Sequence, residues 1–72
     1  MKTINEMEIK FKAKSINEGF ARSAVAAFCI QANPSVDEIT DIKTAVSEAV
    51  TNSVVHAYPL GDGEIVIKVK LY

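Results

Sequence analysis

Two segments of this 72-residue chain alternate strictly between apolar and polar residues, one near each end. Alternation with a period of two is typical of a β-strand that has one packed face and one face in water. In residues 6–14 the apolar positions are Met7, Ile9, Phe11 and Ala13. In the strand that begins at Glu64 they are Ile65, Ile67, Val69 and Leu71. The chain therefore has to build a sheet and cover one face of it.

The first helix between the strands is predicted to begin at a capping box, formed by Ser15 and Glu18. It is predicted to run to about Gln31 or Ala32, because Pro34 disfavours the helical conformation in the residue before it. Its surface is apolar nearly all round, which predicts burial on two sides, one of them against a neighbouring helix or a second chain. One apolar stripe comprises Ile16, Phe20, Ala24, Ala27 and Phe28. The opposite side comprises Glu18, Arg22, Val25, Ala26 and Cys29.

A second capping box, Ser35 with Glu38, predicts a helix from about Val36 to Ala57. Its apolar side lies within an arc of about 100° and comprises Ile39, Ile42, Val46, Ala49, Val50 and Ser53. The order strand, helix, helix, strand predicts an α+β fold, a two-layer α/β sandwich with the helices on one face. A turn is predicted between the second helix and the second strand, over residues 58–63.

Composition narrows the possible partners and compartment. The formal net charge is −1, so there is no electrostatic reason to expect direct binding to nucleic acid or to an anionic membrane. A single cysteine, Cys29, excludes an intrachain disulfide and favours a cytoplasmic location. The longest apolar run, Ala24–Ile30, is far shorter than the about 20 residues of a membrane-spanning helix. The charged side of the sheet is predicted to be a solvated face, with Lys10, Lys12, Lys14, Lys68 and Lys70.

The second helix carries three polar residues spaced four apart, namely Glu48, Asn52 and His56. A spacing of four advances about 40° around a helix, so they form one inclined stripe, which we expect to border the apolar arc with Glu48 near the packed layer. One interpretation is an ordinary solvent boundary. The other is chemical, because a carboxylate can take a proton from a nucleophile and an amide oxygen can hold Mg²⁺ beside phosphates. His56 is expected to be structural, near the end of the helix.

The segment around this stripe resembles a known motif. Residues 47–58, which read SEAVTNSVVHAY, resemble the N-box of the GHKL ATPase superfamily and, within it, the anti-sigma-factor serine kinases. Residues 19–28 and 37–48 also resemble the sporulation anti-sigma F family. The resemblance covers essentially the whole chain, but only the first half of the domain of that family. The chain is therefore expected to be the N-terminal part of a longer domain, as its abrupt end in a strand also predicts.

The resemblance implies a fold, a cofactor and a set of partners. The family has a Bergerat-type α/β sandwich that holds ATP between the helices and the sheet. It implies that Glu48 activates the nucleophile and that Asn52 holds the Mg²⁺ that bridges the ATP phosphates. It also implies a homodimer that inhibits a sporulation sigma factor and phosphorylates a serine of its anti-anti-sigma antagonist. Arg22 matches an arginine that contacts both the sigma factor and the antagonist.

The chain departs from the family where the adenine should bind. The glycine-rich boxes and the ATP lid are missing from the sequence, and Gly61-Asp62-Gly63 is a hairpin-style turn rather than one of those boxes. We therefore expect weak ATP binding, or none, by this chain alone.

Two alternative functions stay open. One is a non-catalytic interaction module that dimerises through its first strand and first helix, and the other is a stress-response anti-sigma kinase of the same fold. Cys29 is expected to be a small packed residue.

Overall fold

A computed structural model describes residues 3–58 and 62–72 of the chain. The elements are strand β1 (Asn5–Lys12), helix α1 (Asn17–Cys29), a 3₁₀ turn (Ile30–Ala32), helix α2 (Val36–Asn52), a π-helical turn (Ser53–Ala57) and strand β2 (Glu64–Leu71). Within the described residues the structure is α+β, with two helices and a two-stranded antiparallel sheet. This confirms the predicted order of elements. Part of the predicted turn over residues 58–63 lies outside the described residues.

The two strands pair along their whole length. Ile9 lies opposite Ile67, and the apolar residues of both strands are half-buried while the residues between them are exposed, as predicted. On the exposed face, the Lys68 Nζ atom lies 3.8 Å from a carboxylate oxygen of Glu8. The lysines predicted to form a solvated face are all exposed, namely Lys10, Lys12, Lys14, Lys68 and Lys70.

Helix α1 begins differently from the prediction, because the capping box at Ser15 does not form. The amide of Glu18 donates to the backbone carbonyl of Ser15 at 3.1 Å, and Ile16 occupies the cap position without a side-chain hydrogen bond. The Glu18 carboxylate instead accepts from Arg22 at 3.0 Å, so it does not reach back to the start of the helix. After the 3₁₀ turn, Asn33 adopts the left-handed conformation, with φ of 52°, and ends the helical segment before the proline.

The buried side of α1 is the second of the two predicted sides. Its buried residues are Ala21, Val25, Ala26 and Cys29, which confirms Cys29 as a small packed residue. In the predicted stripe, Ile16 is 84% exposed and Phe20 is 54% exposed. The stripe therefore does not form the core of the described structure. Phe20 meets the sheet by an edge-to-face contact with Phe11, at a centroid distance of 6.1 Å. The small buried side chains let α1 pack closely against α2.

Helix α2 begins at the predicted capping box. The Ser35 hydroxyl accepts from the Glu38 amide at 3.1 Å, and the Glu38 carboxylate accepts from the Ser35 amide at 2.9 Å. The backbone bond from Ser35, with a further contribution from its side chain, lowers the pKa of the Glu38 carboxyl. Val50 is the largest fully buried side chain. The described core is small and comprises Ala13, Ala21, Val25, Ala26, Cys29 and Val50.

Candidate functional site

Glu48 and Asn52 lie one turn apart near the end of α2, and both are exposed. Glu48 lies two residues before the buried Val50, and Asn52 lies two residues after it. At about 100° per residue, each of the two side chains is about 160° around the helix from the Val50 side chain. The two polar residues are themselves only about 40° apart. The expectation that Glu48 lies near the packed layer is therefore wrong, because both residues project from the side of α2 that faces away from the core.

We call the surface formed by Ala45, Glu48 and Asn52 the open face of α2, since all three residues are exposed. Among the described residues, no hydrogen bond or ion pair reaches the side chain of Glu48 or of Asn52. Val55, one turn further along, is 55% exposed. The open face thus combines one carboxylate and one amide with apolar neighbours. Its polar groups are available to a ligand or partner.

A π-helical turn begins immediately after Asn52. The amide of Tyr58 donates to the carbonyl of Ser53 at 2.8 Å, five residues back, and the Ser53 hydroxyl donates to the carbonyl of Ala49 at 3.0 Å. Such single π turns occur frequently at functional sites. The sequence pattern predicts one regular α-helix through this segment and gives no signal for the turn. The wider turn changes the helical register, so the exposed His56 does not simply continue the stripe of Glu48 and Asn52.

An open cavity of about 250 Å³ separates the start of α1 from the end of α2. Its lining residues are Ser15, Glu18, Val50, Thr51, Val54 and Val55. Thr51 follows Glu48 by three residues, about 60° around α2, so this wall of the cavity lies next to the open face. No spacing in the sequence predicts this cavity, because its walls come from two segments that are distant in the chain.

Arg22 is held by its neighbour one turn earlier. Its side chain is 43% exposed, and its guanidinium donates to the Glu18 carboxylate at 3.0 Å. The apolar neighbours of Arg22 in the sequence favour an interface, but Val25, Ala26 and Cys29 are buried within the chain itself and form no exposed surface around it. No hydrogen bond or ion pair joins Arg22 to Glu48 in the part of the chain that the structure describes.

The donor chemistry of the open face suits Mg²⁺ better than a transition metal. The side-chain oxygen of Asn52 is a hard, neutral ligand of the kind that accompanies phosphate oxygens and water around Mg²⁺. In residues 3–58 and 62–72, no group of three histidine, cysteine or acidic residues is placed to hold a metal ion. Asn52 therefore fits a magnesium ion that is coordinated mainly by phosphates and water.

Comparison with known proteins matches this chain to one domain family. The family model described as histidine kinase-like ATPase domain matches residues 11–71. An anti-sigma F factor of Clostridium botulinum (strain Eklund 17B / Type B) is 57% identical over 68 residues, which are 93% of this chain and 48% of the relative. An anti-sigma F factor of Caldanaerobacter subterraneus subsp. tengcongensis is 59% identical over 64 residues, which are 89% of this chain and 45% of the relative.

A third relative, an anti-sigma F factor of Clostridium perfringens (strain 13 / Type A), is 56% identical over 63 residues. Those residues are 88% of this chain and 45% of the relative. The chain spans about half the length of the curated relatives that it matches. None of the helices in the described ranges is long and apolar enough to cross a membrane.

Proposed function

Because this chain belongs to the histidine kinase-like ATPase domain family, we propose that it forms the first half of an anti-sigma factor that is also an ATP-dependent serine kinase. The names of its relatives support the anti-sigma role. The proposed target of inhibition is a sporulation sigma factor in the cytoplasm. The proposed substrate is a serine of an anti-anti-sigma antagonist, which loses its activity when phosphorylated.

The observation that carries this proposal is the open face of α2. The fold does not use Glu48 or Asn52 for packing or for hydrogen bonds among the described residues. A carboxylate and an amide that remain available one turn apart can act together on one phosphate group. Exposure alone is common for polar residues, and what distinguishes this pair is that both groups lie in the segment that the family match covers.

The proposed chemistry gives each side chain one task. The Glu48 carboxylate accepts the proton of the attacking serine hydroxyl. The serine oxygen forms a bond to the γ-phosphorus of ATP, the bond from that phosphorus to the bridging oxygen breaks, and ADP leaves. Asn52 would hold Mg²⁺, which when bound neutralises charge on the ATP phosphates. Removal of Glu48 should therefore affect transfer, whereas removal of Asn52 should affect the binding of Mg²⁺ with ATP.

Arg22 is proposed to contact the sigma factor and the antagonist. Its half-exposed guanidinium is oriented by Glu18, so it can be presented to a partner with little further loss of side-chain freedom. Arginine is also enriched among the residues that dominate binding energy at protein interfaces. A homodimer completes the proposed assembly.

The test is a chimera that joins this chain to the remaining half of the Clostridium perfringens relative. We expect the chimera to transfer phosphate from ATP to a serine of an anti-anti-sigma protein and to bind a sigma factor. Glu48→Gln should lower the rate of transfer by about 10²–10⁴-fold while sparing nucleotide binding, and Asn52→Ala should weaken the binding of ATP in the presence of Mg²⁺. Asp41→Asn, which removes another exposed carboxylate from α2, is the matched control and should retain activity.

A rate of transfer that stays at the wild-type level in Glu48→Gln would contradict the assigned base. The 72-residue chain alone should bind ATP weakly or not at all, so calorimetry that showed micromolar binding would contradict the predicted absence of an adenine pocket. The alternative of a non-catalytic interaction module predicts a chimera that binds the sigma factor but transfers no phosphate. The exposed side chains of Ile16 and Phe20 are the observation that favours this alternative.

A further inference from the structure

The cavity between the start of α1 and the end of α2 combines apolar walls with two exposed hydroxyl residues. The walls include Val50, Val54 and Val55, and the hydroxyls belong to Ser15 and Thr51. Its volume of about 250 Å³ lies below the about 300–1,000 Å³ of pockets that hold drug-sized ligands. The cavity therefore suits one aliphatic side chain of a protein partner better than a free small molecule.

The charge of the cavity points to an uncharged occupant. Among its described lining residues, Glu18 is the one ionisable group, and the Glu18 carboxylate accepts from the Arg22 guanidinium at 3.0 Å. Arg22 thus already neutralises this carboxylate. A charged group that entered the cavity would lose its water without gaining a free partner of opposite charge, which is costly.

The order of side chains around α2 sets the cavity on one side of the assigned base. From Glu48, Thr51 lies about 60° around the helix in one direction and Asn52 lies about 40° in the other. In phosphoryl transfer the attacking and leaving oxygens lie roughly in line, on opposite sides of the phosphorus. If Asn52 holds the metal beside the ATP phosphates, a serine hydroxyl that reaches Glu48 arrives from the Thr51 side. The cavity lies on that side.

The π-helical turn supplies two of the apolar walls. Val54 and Val55 are consecutive residues of this turn, and both line the cavity. Val55 is 55% exposed and Val54 is half-buried, so the fold does not use either side chain fully for its core. Single π turns are frequent at functional sites. Here the turn contributes to a cavity beside the assigned base.

Glu18 connects the cavity to the proposed partner contact on α1. Its side chain is 24% exposed, lines the cavity and holds Arg22. The cavity therefore separates the Glu18–Arg22 pair on α1 from the Thr51 side of the open face on α2. A substrate that contacts Arg22 and brings its serine to Glu48 passes over the mouth of this cavity.

We propose that the cavity receives an uncharged aliphatic side chain of the anti-anti-sigma substrate, and that Thr51 and Val54 select it. This inference rests on the proposed function and adds where the substrate docks. Thr51 is three residues, about 4.5 Å, further along α2 than Glu48. One or two residues of an extended segment span that distance, at about 3.3 Å each. The selected residue therefore lies within two positions of the target serine.

The first test fills the cavity in the chimera. Thr51→Trp places a large side chain at the exposed mouth and should weaken binding of an anti-anti-sigma protein by about tenfold or more, the usual effect of losing one aliphatic contact. Titration calorimetry with a non-hydrolysable ATP analogue measures this binding, and ATP affinity should stay within about twofold of wild type. Thr44→Trp makes the same change at an exposed position two turns earlier on α2 and should bind as wild type does.

The second test identifies the side chain that enters. Each of the four residues within two positions of the target serine is replaced by alanine in turn. One replacement should weaken binding to the unchanged chimera by about tenfold, and the same replacement should have little further effect on Thr51→Trp, whose cavity is already filled. Val54→Ala enlarges the cavity and should restore binding of a substrate that carries phenylalanine at that one position.

Circular dichroism checks that each variant folds, and Val55→Trp repeats the filling from another wall if Thr51→Trp does not fold. Alanine replacements whose effects add to that of the filled cavity at all four positions overturn the proposal. So does a filled chimera that binds the substrate as wild type does. Coupled binding without phosphate transfer would support the cavity and refute the proposed kinase. A chimera that binds no anti-anti-sigma protein would refute both.

Discussion

The two sides of helix α2 differ in burial, because one packs within the chain and the other is exposed. Val50 lies 1% exposed on the side that packs within the chain. Glu48 and Asn52 project from the opposite side, and no hydrogen bond to either side chain exists among the described residues. The size of a side chain on the packed side is limited by the space around it, whereas the size of a side chain on the open face is not. The comparison shows that position around one helix separates the residues that the described core buries from those that it leaves exposed.

In helix α1 the polar residues are not separated from the buried side in this way. At about 100° per residue, Glu18 falls between Val25 and Cys29, which are buried, and Arg22 falls next to Cys29. The ion pair of Glu18 and Arg22 therefore lies along the packed side of α1 and is only partly exposed. A variant at Arg22 can change stability and partner binding together. Substitutions on the open face of α2 should give the cleaner functional result.

The largest expected effect is that of Glu48→Gln in the chimera. Loss of a general base typically lowers a rate by about 10²–10⁴-fold, and we expect kcat for serine phosphorylation to fall within that range. Because Glu48 is exposed and makes no hydrogen bond within the described residues, the free energy of unfolding should change by less than about 0.5 kcal/mol. Single-turnover kinetics and urea denaturation measure the two quantities. If Glu48→Gln loses activity only because it unfolds, then the open face of α2 also contributes to stability, and the proposed contrast with the packed side is wrong.

Val50→Ala should show the opposite behaviour. Removal of two methyl groups from a fully buried position costs about 2 kcal/mol, through lost burial and the cavity that remains. Urea denaturation of the 72-residue chain checks this value, and Val55→Ala, at an exposed apolar position near the end of the same helical segment, is the control. In the chimera, Val50→Ala should retain kcat at temperatures where it is folded. A selective loss of kcat would instead place Val50 in the catalytic site.

Much of this fold could be predicted from local signals. The alternation of apolar residues predicted both strands, and the capping box at Ser35 predicted the start of α2. The capping box at Ser15 did not form, since the Glu18 amide donates to the Ser15 backbone carbonyl and the Glu18 carboxylate accepts from Arg22. The spacing of residues in the sequence does not show whether the Glu18 carboxylate accepts from the start of the helix or from Arg22. The packed side of α1 was also ambiguous, since both sides of that helix are apolar.

The residues of the candidate site were predicted, but their position around the helix was not, because Glu48 was expected near the packed layer and is exposed. Glu48 and Asn52 were identified from their spacing and from the resemblance of residues 47–58 to the N-box. Their roles remain predictions. The structure shows that both are exposed, opposite Val50. The π-helical turn after Asn52 had no periodic signal, because the fifth-residue hydrogen bond to Ser53 follows from local backbone geometry rather than from the order of side chains.

A smaller effect is expected at the other end of α2. Ser35→Ala removes the hydroxyl that accepts from the Glu38 amide, and loss of such a cap costs about 1 kcal/mol. Ser47→Ala, a substitution on the same helix away from the cap, is the control. Urea denaturation measures the difference. A cost equal to that of Val50→Ala would mean that capping matters as much as packing for α2, and the contrast between its two sides would lose its basis.

The smallest effect is a dependence of stability on pH that comes from Glu38. Hydrogen bonds from Ser35 lower the pKa of this carboxyl in the folded chain below its ordinary value of 4.5. A lowered folded pKa gives stability that is fully present above the unfolded pKa and is lost as the pH falls through the folded pKa. We therefore expect wild-type stability to decline below about pH 4.5, and Glu38→Gln should decline less steeply in thermal unfolding. Asp37→Asn removes a neighbouring carboxylate of the same turn and should keep the wild-type slope. Equal slopes for Glu38→Gln and the wild type would show that the capping carboxylate contributes nothing to acid stability.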